Sequence, residues 1–229
     1  MTVILLQLKN KWYEMKNFKA YLFFIAAISC INCCYAQNED MPDSRKKTES
    51  FERFRIPDIR KDLATFTLGG ISESVGALPL EKISYTSLAN DSILFEGDGI
   101  KAKVKIAVFD PAKHKLSFDE KFLVRIDRRP YYGGDYGNTP KTSISEVSVI
   151  INNDTVFIPP TAYTDLFNVH FTYSDQGVER TRNAVYKSKD GRKIYLYLFS
   201  KSENGSYEVT WIIQDKKYLR RVLDYGLIN

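Results

Sequence analysis

By its pattern of apolar and polar positions, the chain divides into a short apolar head, a polar neck and a long tract that alternates with a period of two. Residues 20–31 (AYLFFIAAISCI) form the head, uncharged and largely apolar. Residues 37–50 form the neck and contain no aromatic residue. Residues 51–62 mix charges with Phe51, Phe54, Ile56 and Ile59, which suits irregular structure or a short helix. Leu68-Gly69-Gly70 and residues 76–79 are rich in turn formers. From Ser92 onward the strand signals are dense. In residues 101–109 (KAKVKIAVF), Lys101, Lys103 and Lys105 fall on one face, with Val104, Ile106 and Val108 on the other. Asp110-Pro111 ends that run, because proline removes a ladder donor and presets a turn.

Residues 93–95, 122–126, 144–151 and 155–158 read as further strands, with Asn152-Asn153-Asp154 a tight turn between the last two. Pro159-Pro160 opens a helical candidate over residues 161–167, proline being well placed in a first turn. Residues 169–173 and 183–187 read as strands, and Lys189-Asp190-Gly191 supplies a hairpin turn. Residues 193–199 (KIYLYLF) are apolar on both faces and should lie centrally in a covered sheet, with the Tyr195 and Tyr197 face against a second layer. Beyond a turn at Glu203-Asn204-Gly205, Tyr207, Val209, Trp211 and Ile213 share a face opposite Glu208 and Thr210. Gln214-Asp215-Lys216 turns again into residues 217–223. The pattern predicts a mainly β fold of antiparallel sheets, a sandwich or half-open barrel, with a C-terminal meander and one short helix.

The head changes the picture of compartment. Met15 starts a compact export signal: Lys16 and Lys19 are its basic region, and the apolar run of 12 residues is shorter than the ~20 needed to span a bilayer. Cys34-Tyr35-Ala36 offers small residues where a signal peptidase reads, so residues 1–36 are expected to be removed. Residues 37–50 then form a flexible polar leader, and residues 51–229 a single β-rich domain, periplasmic or extracellular. Ala27-Ile28-Ser29-Cys30 loosely resembles a lipoprotein box. Lipidation at Cys30 is the alternative outcome and would anchor the protein to the outer membrane.

The three cysteines all lie in the first 36 residues, so the mature chain has no thiol and suits an oxidising compartment. Lys9, Lys11, Lys16 and Lys19 leave with the signal, as does Glu14, and the formal charge falls from +5 to +2. That balance supplies no clustered basic stripe and argues against nucleic acid as a partner.

A resemblance supports the compartment. Val185-Tyr186-Lys187-Ser188-Lys189-Asp190-Gly191, the run Tyr207-Glu208-Val209-Thr210-Trp211-Ile212-Ile213-Gln214-Asp215, and Lys217-Tyr218-Leu219-Arg220-Arg221-Val222 carry it. So do Pro159-Pro160 with Ala162-Tyr163 and Asp165-Leu166, and the Ala36-Gln37 junction. On these residues, about half of the mature chain is similar to a group of exported β-rich proteins of Bacteroidota bacteria. The resemblance implies export and implies no reaction. Arg128 departs from it, standing where the similar proteins usually carry Gly or Asn in the turn after Asp127.

Candidate chemistry is sparse. His114 and His170 are the only histidines, no Gly-x-Ser-x-Gly elbow is present, and no cysteine remains after cleavage. The carboxylates Asp119, Glu120, Asp127, Asp135 and Asp175 are not brought together by any spacing. No calcium loop, phosphate loop or metal-ligand cluster is seen, so no cofactor or metal is expected. The most suggestive segment is residues 130–140 (PYYGGDYGNTP), where Tyr131, Tyr132 and Tyr136 interleave with glycines around Asp135. Exposed tyrosines there would stack on a glycan or anchor a protein partner; equally, Tyr131 and Tyr132 can continue a strand while the glycines turn. Asp91-Ser92-Ile93 and Asp154-Thr155-Val156 match a short O-glycosylation signal at Ser92 and Thr155. The sequence thus favours a non-catalytic binding or structural module over the alternative, a hydrolase of envelope or extracellular polymers.

Overall fold

A computed structural model of the protein describes residues 41–133 and 135–227. The expected export signal, Cys30 with it, and the start of the polar leader lie outside the described residues. Among the described residues, a 3-10 turn at Phe51–Arg53 leads into helix α1 (Pro57–Ala64), which begins on proline and turns Ile59, Leu63 and Ala64 to one buried side. Fourteen strands follow among the described residues. β1 (Glu81–Ile83) and β2 (Tyr85–Ala89) are short, β3 (Ser92–Gly97) and β4 (Ile100–Val108) form a hairpin, and β5 (Leu116–Asp119) and β6 (Phe122–Ile126) form another. β7 (Thr142–Ile151) returns along β4 and turns into β8 (Asp154–Val156). A small hairpin, β9 (Tyr173–Asp175) and β10 (Val178–Arg180), precedes β11 (Ala184–Lys187), β12 (Lys193–Ser202), β13 (Gly205–Gln214) and β14 (Lys217–Tyr225).

The long strands make two antiparallel five-stranded sheets, in the orders β1-β11-β12-β13-β14 and β2-β3-β4-β7-β8. Their facing sides share one apolar core: Ile93, Phe95, Val104 and Val149 meet Leu196, Leu198, Val209 and Trp211, all essentially without solvent contact. This is a sandwich-like arrangement with a C-terminal meander, and β12 lies at the centre of its sheet. Two of the hairpins, β7 to β8 and β13 to β14, turn on residues at positive φ. Asn152-Asn153 (φ 50° and 69°) and Asp215-Lys216 (φ 49° and 60°) close two-residue turns whose twist matches the strands.

Four expectations are corrected. Residues 161–167 are not a helix. A single 3-10 turn, Pro160–Ala162, is followed by backbone that joins its neighbours: Tyr132 N–H donates to Asp165 O, Phe167 N–H to Tyr132 O and Ile144 N–H to Leu166 O. Residues 169–172 keep the alternation, with Val169 and Phe171 buried, but make no ladder. Side chains replace it: Asn183 Nδ2 donates to Phe171 O at 2.7 Å, and His170 N–H donates to Ser200 Oγ at 2.9 Å. Val108 is 85% exposed, because β3 stops opposite Lys105 and leaves the end of β4 uncovered. From Pro42 the polar leader joins the compact unit. There, Arg45 lies over the rings of Tyr136 and Tyr225 (3.7 and 4.1 Å to the centroids), Glu49 pairs with Arg221 at 2.9 Å, and Leu223 N–H donates to Glu49 O.

The outer face of the C-terminal sheet is covered as well. Phe51, Phe54, Ile59, Leu63 and Leu80 pack on Tyr195, Ile212 and Val222, forming a second, smaller core.

Candidate functional site

Five segments converge where β4 ends and β7 begins. Phe109, just past β4, is fixed by its N–H donating to Lys141 O at 2.9 Å. Asp110 then accepts from Ala112 N–H and starts a 3-10 turn that delivers His114 back onto Phe109, the two rings stacked at 4.7 Å. The hairpin of β5 and β6 places Lys115 opposite Asp127, whose N–H donates to Lys115 O at 2.8 Å. A two-residue turn, Asp127-Arg128 at φ 51° and 65°, then presents Arg129. This turn is tight although neither residue is glycine. Side chains with a Cβ resist that region by about 1–2 kcal/mol each, so Arg128 holds strain beside the site. Ser143 and Ile144 of β7, with residues 164–167, complete the surround.

Between these segments lies a cleft of about 390 Å³. Its walls are aromatic: Phe167 stands edge-on to Phe109 (5.2 Å) and to Tyr131 (5.8 Å). Each of its carboxylates already accepts two internal hydrogen bonds. Asp165 receives both guanidinium nitrogens of the buried Arg221 at 2.6 Å each. Asp127 lies 2.8 Å from His114 Nδ1 and accepts from Lys115 N–H at 2.9 Å. The His114 contact, more than the nearby Arg129 charge, holds the Asp127 carboxyl below its usual range, so Nδ1–H is the donor. By contrast, the Arg129 guanidinium and the Ser143 and Thr164 hydroxyls make no hydrogen bond or ion pair among the described residues. A second cavity of about 510 Å³ beside β2 is lined by His170, Thr172 and Glu179, but there the Thr172 hydroxyl is already given to Glu179.

The tyrosines expected to form a platform are buried. Tyr131 Oη donates to Leu123 O at 3.0 Å and accepts from Gly137 N–H at 2.8 Å, and burial pushes its phenol up to about 12. Tyr132 belongs to the main core, packs on Tyr225 and is pushed up to about 12 for the same reason. Tyr136 packs between Tyr131 and Arg45. The loop therefore presents no tyrosine face to solvent; its rings are turned inward by the hydrophobic area they bury. Asp135 is half-buried and accepts from Asn168 Nδ2 (3.1 Å) and Asn204 Nδ2 (3.0 Å), tying this loop to the turn between β12 and β13. Ser92 is half-buried with its hydroxyl on Asp91, whereas Thr155 is exposed on the edge strand β8. Of the suggested loop and modification residues Tyr131 borders the cleft, and of the titratable residues weighed in the sequence His114 and Asp127 do.

The sequence reading did not single out Phe109, Arg129, Ser143, Thr164, Asp165 or Phe167, and it treated His114 and Asp127 as unrelated. One signal was readable. Had residues 116–119 been taken as a strand, hairpin register would have set His114 near Asp127. Among the described residues, no group of three or more His, Cys, Asp or Glu side chains gathers as a metal site, and no helix is long and apolar enough to cross a membrane. Compared with family models, curated proteins and solved structures, the chain matches none.

Proposed function

We propose that this chain is an exported, non-catalytic binding domain of the cell envelope or its surroundings, and that the cleft between Phe109, Tyr131 and Phe167 takes a glycan. One observation carries the reading: an aromatic-walled cleft of ligand size in which Arg129, Ser143 and Thr164 have no internal partner. A concave, partly apolar lining with hydroxyl and guanidinium donors at the rim is the chemistry a sugar ring needs. Export rests on the signal at residues 1–36 and on the family resemblance.

The test is an NMR titration of the purified protein with neutral and acidic oligosaccharides. Shifts should gather on Phe109, His114, Arg129 and Thr164, and Thr164→Trp, at an exposed position, should abolish them with the fold intact. Shifts confined to other surfaces would overturn the reading.

One observation favours a hydrolase instead: His114, oriented by Asp127, shares the cleft with the Ser143 hydroxyl. Release of product from an ester or glycoside panel, lost in both His114→Ala and Ser143→Ala, would decide for catalysis.

A further inference from the structure

We propose that residues 42–49 form a displaceable strap, and that the seat of its Arg45 is a binding site for an arginine on an extended polar segment of a partner protein. The inference is independent of the cleft and comes from how the strap is held. Apart from Pro42, every side chain in Pro42-Asp43-Ser44-Arg45-Lys46-Lys47-Thr48-Glu49 is polar or charged, so little hydrophobic burial fixes it. The Arg45 side chain is nonetheless only 11% exposed. It lies over the Tyr136 ring at 3.7 Å and the Tyr225 ring at 4.1 Å. Its charge partner, Asp43 at 2.8 Å, belongs to the strap itself. Among the described residues the rest of the domain gives this cation ring faces and no carboxylate, which is the chemistry of an aromatic site for a guanidinium.

The groups around the seat suit an extended chain. Leu223 N–H, on the edge strand β14, donates to Glu49 O at 2.9 Å, and Tyr136 Oη donates to Pro42 O at 3.5 Å. Ser44 Oγ donates to Val124 O of β6 at 3.2 Å. The first two bonds reach the strap's main chain and select no sequence, so selectivity falls to Arg45. Lifting the strap leaves both apolar cores whole, because neither contains one of its residues. Nor does it strand a buried charge: Arg221, parted from Glu49, keeps its bidentate pair with Asp165. Arg45 is thus a tethered competitor, present at roughly millimolar effective concentration, for a partner's arginine.

The experiment uses the chain with Arg45→Ala, which empties the seat and keeps the rest of the strap. The probe is a synthetic peptide with the sequence of residues 42–48, alongside a copy that carries the same Arg45→Ala change. NMR titration follows the Tyr136 and Tyr225 rings. The arginine peptide should shift both rings and bind the variant about tenfold tighter than the wild-type chain, whose own arm competes. The copy without arginine should bind about tenfold more weakly, having lost contact with two ring faces. Adding Tyr136→Leu to the variant should shrink that margin. Equal binding of the two peptides, no ring shift at roughly millimolar peptide, or equal affinity for variant and wild-type chain would overturn the proposal. So would a variant that loses the wild-type spectrum, since Arg45 would then be part of the fold. A wild-type dimer in sedimentation that Arg45→Ala dissociates would overturn the partner and give the seat to a second copy's strap.

Discussion

The outer face of the C-terminal sheet and the cleft at the end of β4 are made of the same residue types: tyrosines, carboxylates and backbone amides. They differ in whether those groups find partners inside the protein. On the outer face the polar heads of Tyr195, Tyr197, Glu208 and Asp224 are closed. Tyr197 Oη donates to Glu208 Oε2 at 2.7 Å, Leu68 and Gly69 N–H donate to the same carboxylate at 2.8 and 2.7 Å, and Phe51 N–H donates to Asp224 Oδ2 at 2.9 Å. Tyr195 Oη donates to Asp62 at 2.6 Å. Gly69 lets the two carboxylates approach, since a Cβ there would sit 2.9 Å from Asp224 Oδ2 and push it aside. At the cleft the carboxylates also accept internal hydrogen bonds, though Asp127 stays half exposed, and the strongest donor, Arg129, makes none through its side chain among the described residues. Polar groups buried with partners hold a layer in place; exposed donors grouped on aromatic walls are available to a ligand.

The largest expected effect lies on the closed face. Glu208→Ala strands a phenol and two amides under the helical cap and should lower stability by about 3 kcal/mol or more, read from the urea midpoint. A loss under about 1 kcal/mol would mean that the cap is held by its apolar contacts alone. A smaller change should follow pH. Burial raises the carboxyls of both Glu208 and Asp224, so protonation favours the folded state. Their contribution is full below the ordinary carboxylate range near about 4 and fades as pH rises through the raised values. Thermal midpoints should therefore increase on mild acidification from neutrality. Below that range acids held low, Asp127 among them, reverse the trend. Asp224→Asn should flatten the rise, and an unchanged slope would remove Asp224 from the account.

The turn beside the cleft gives the next effect. Arg128→Gly frees a residue at φ 65° and should raise stability by about 0.5–1 kcal/mol; a loss would show that the Arg128 side chain makes a compensating contact. Smallest of all, Arg129→Gln and Ser143→Ala should change stability by less than about 0.5 kcal/mol, because neither side chain is bonded within the fold. A larger loss at either would erase the contrast between the two regions.

Much of the fold was legible because period-two alternation and turn residues are local. The turns at Asn152-Asn153 and Asp215-Lys216, the central place of residues 193–199 and the shared face of Tyr207 to Ile213 all follow from neighbours in the sequence. The burial of Glu208 and Thr210 was not legible. Their polarity reads as a solvent face, yet a cap more than a hundred residues upstream covers them. The cleft was harder still. Its walls come from five segments, and the tyrosines that drew attention were turned inward by the area they bury, while Arg129 looked like any other turn residue.

The most direct test of that contrast is a crystal structure of the protein soaked with an oligosaccharide. The account predicts a sugar at the mouth of the cleft, against His114, Arg129 and Thr164, and the Glu208–Asp224 face unchanged. A ligand seated in the cavity beside His170 would contradict it.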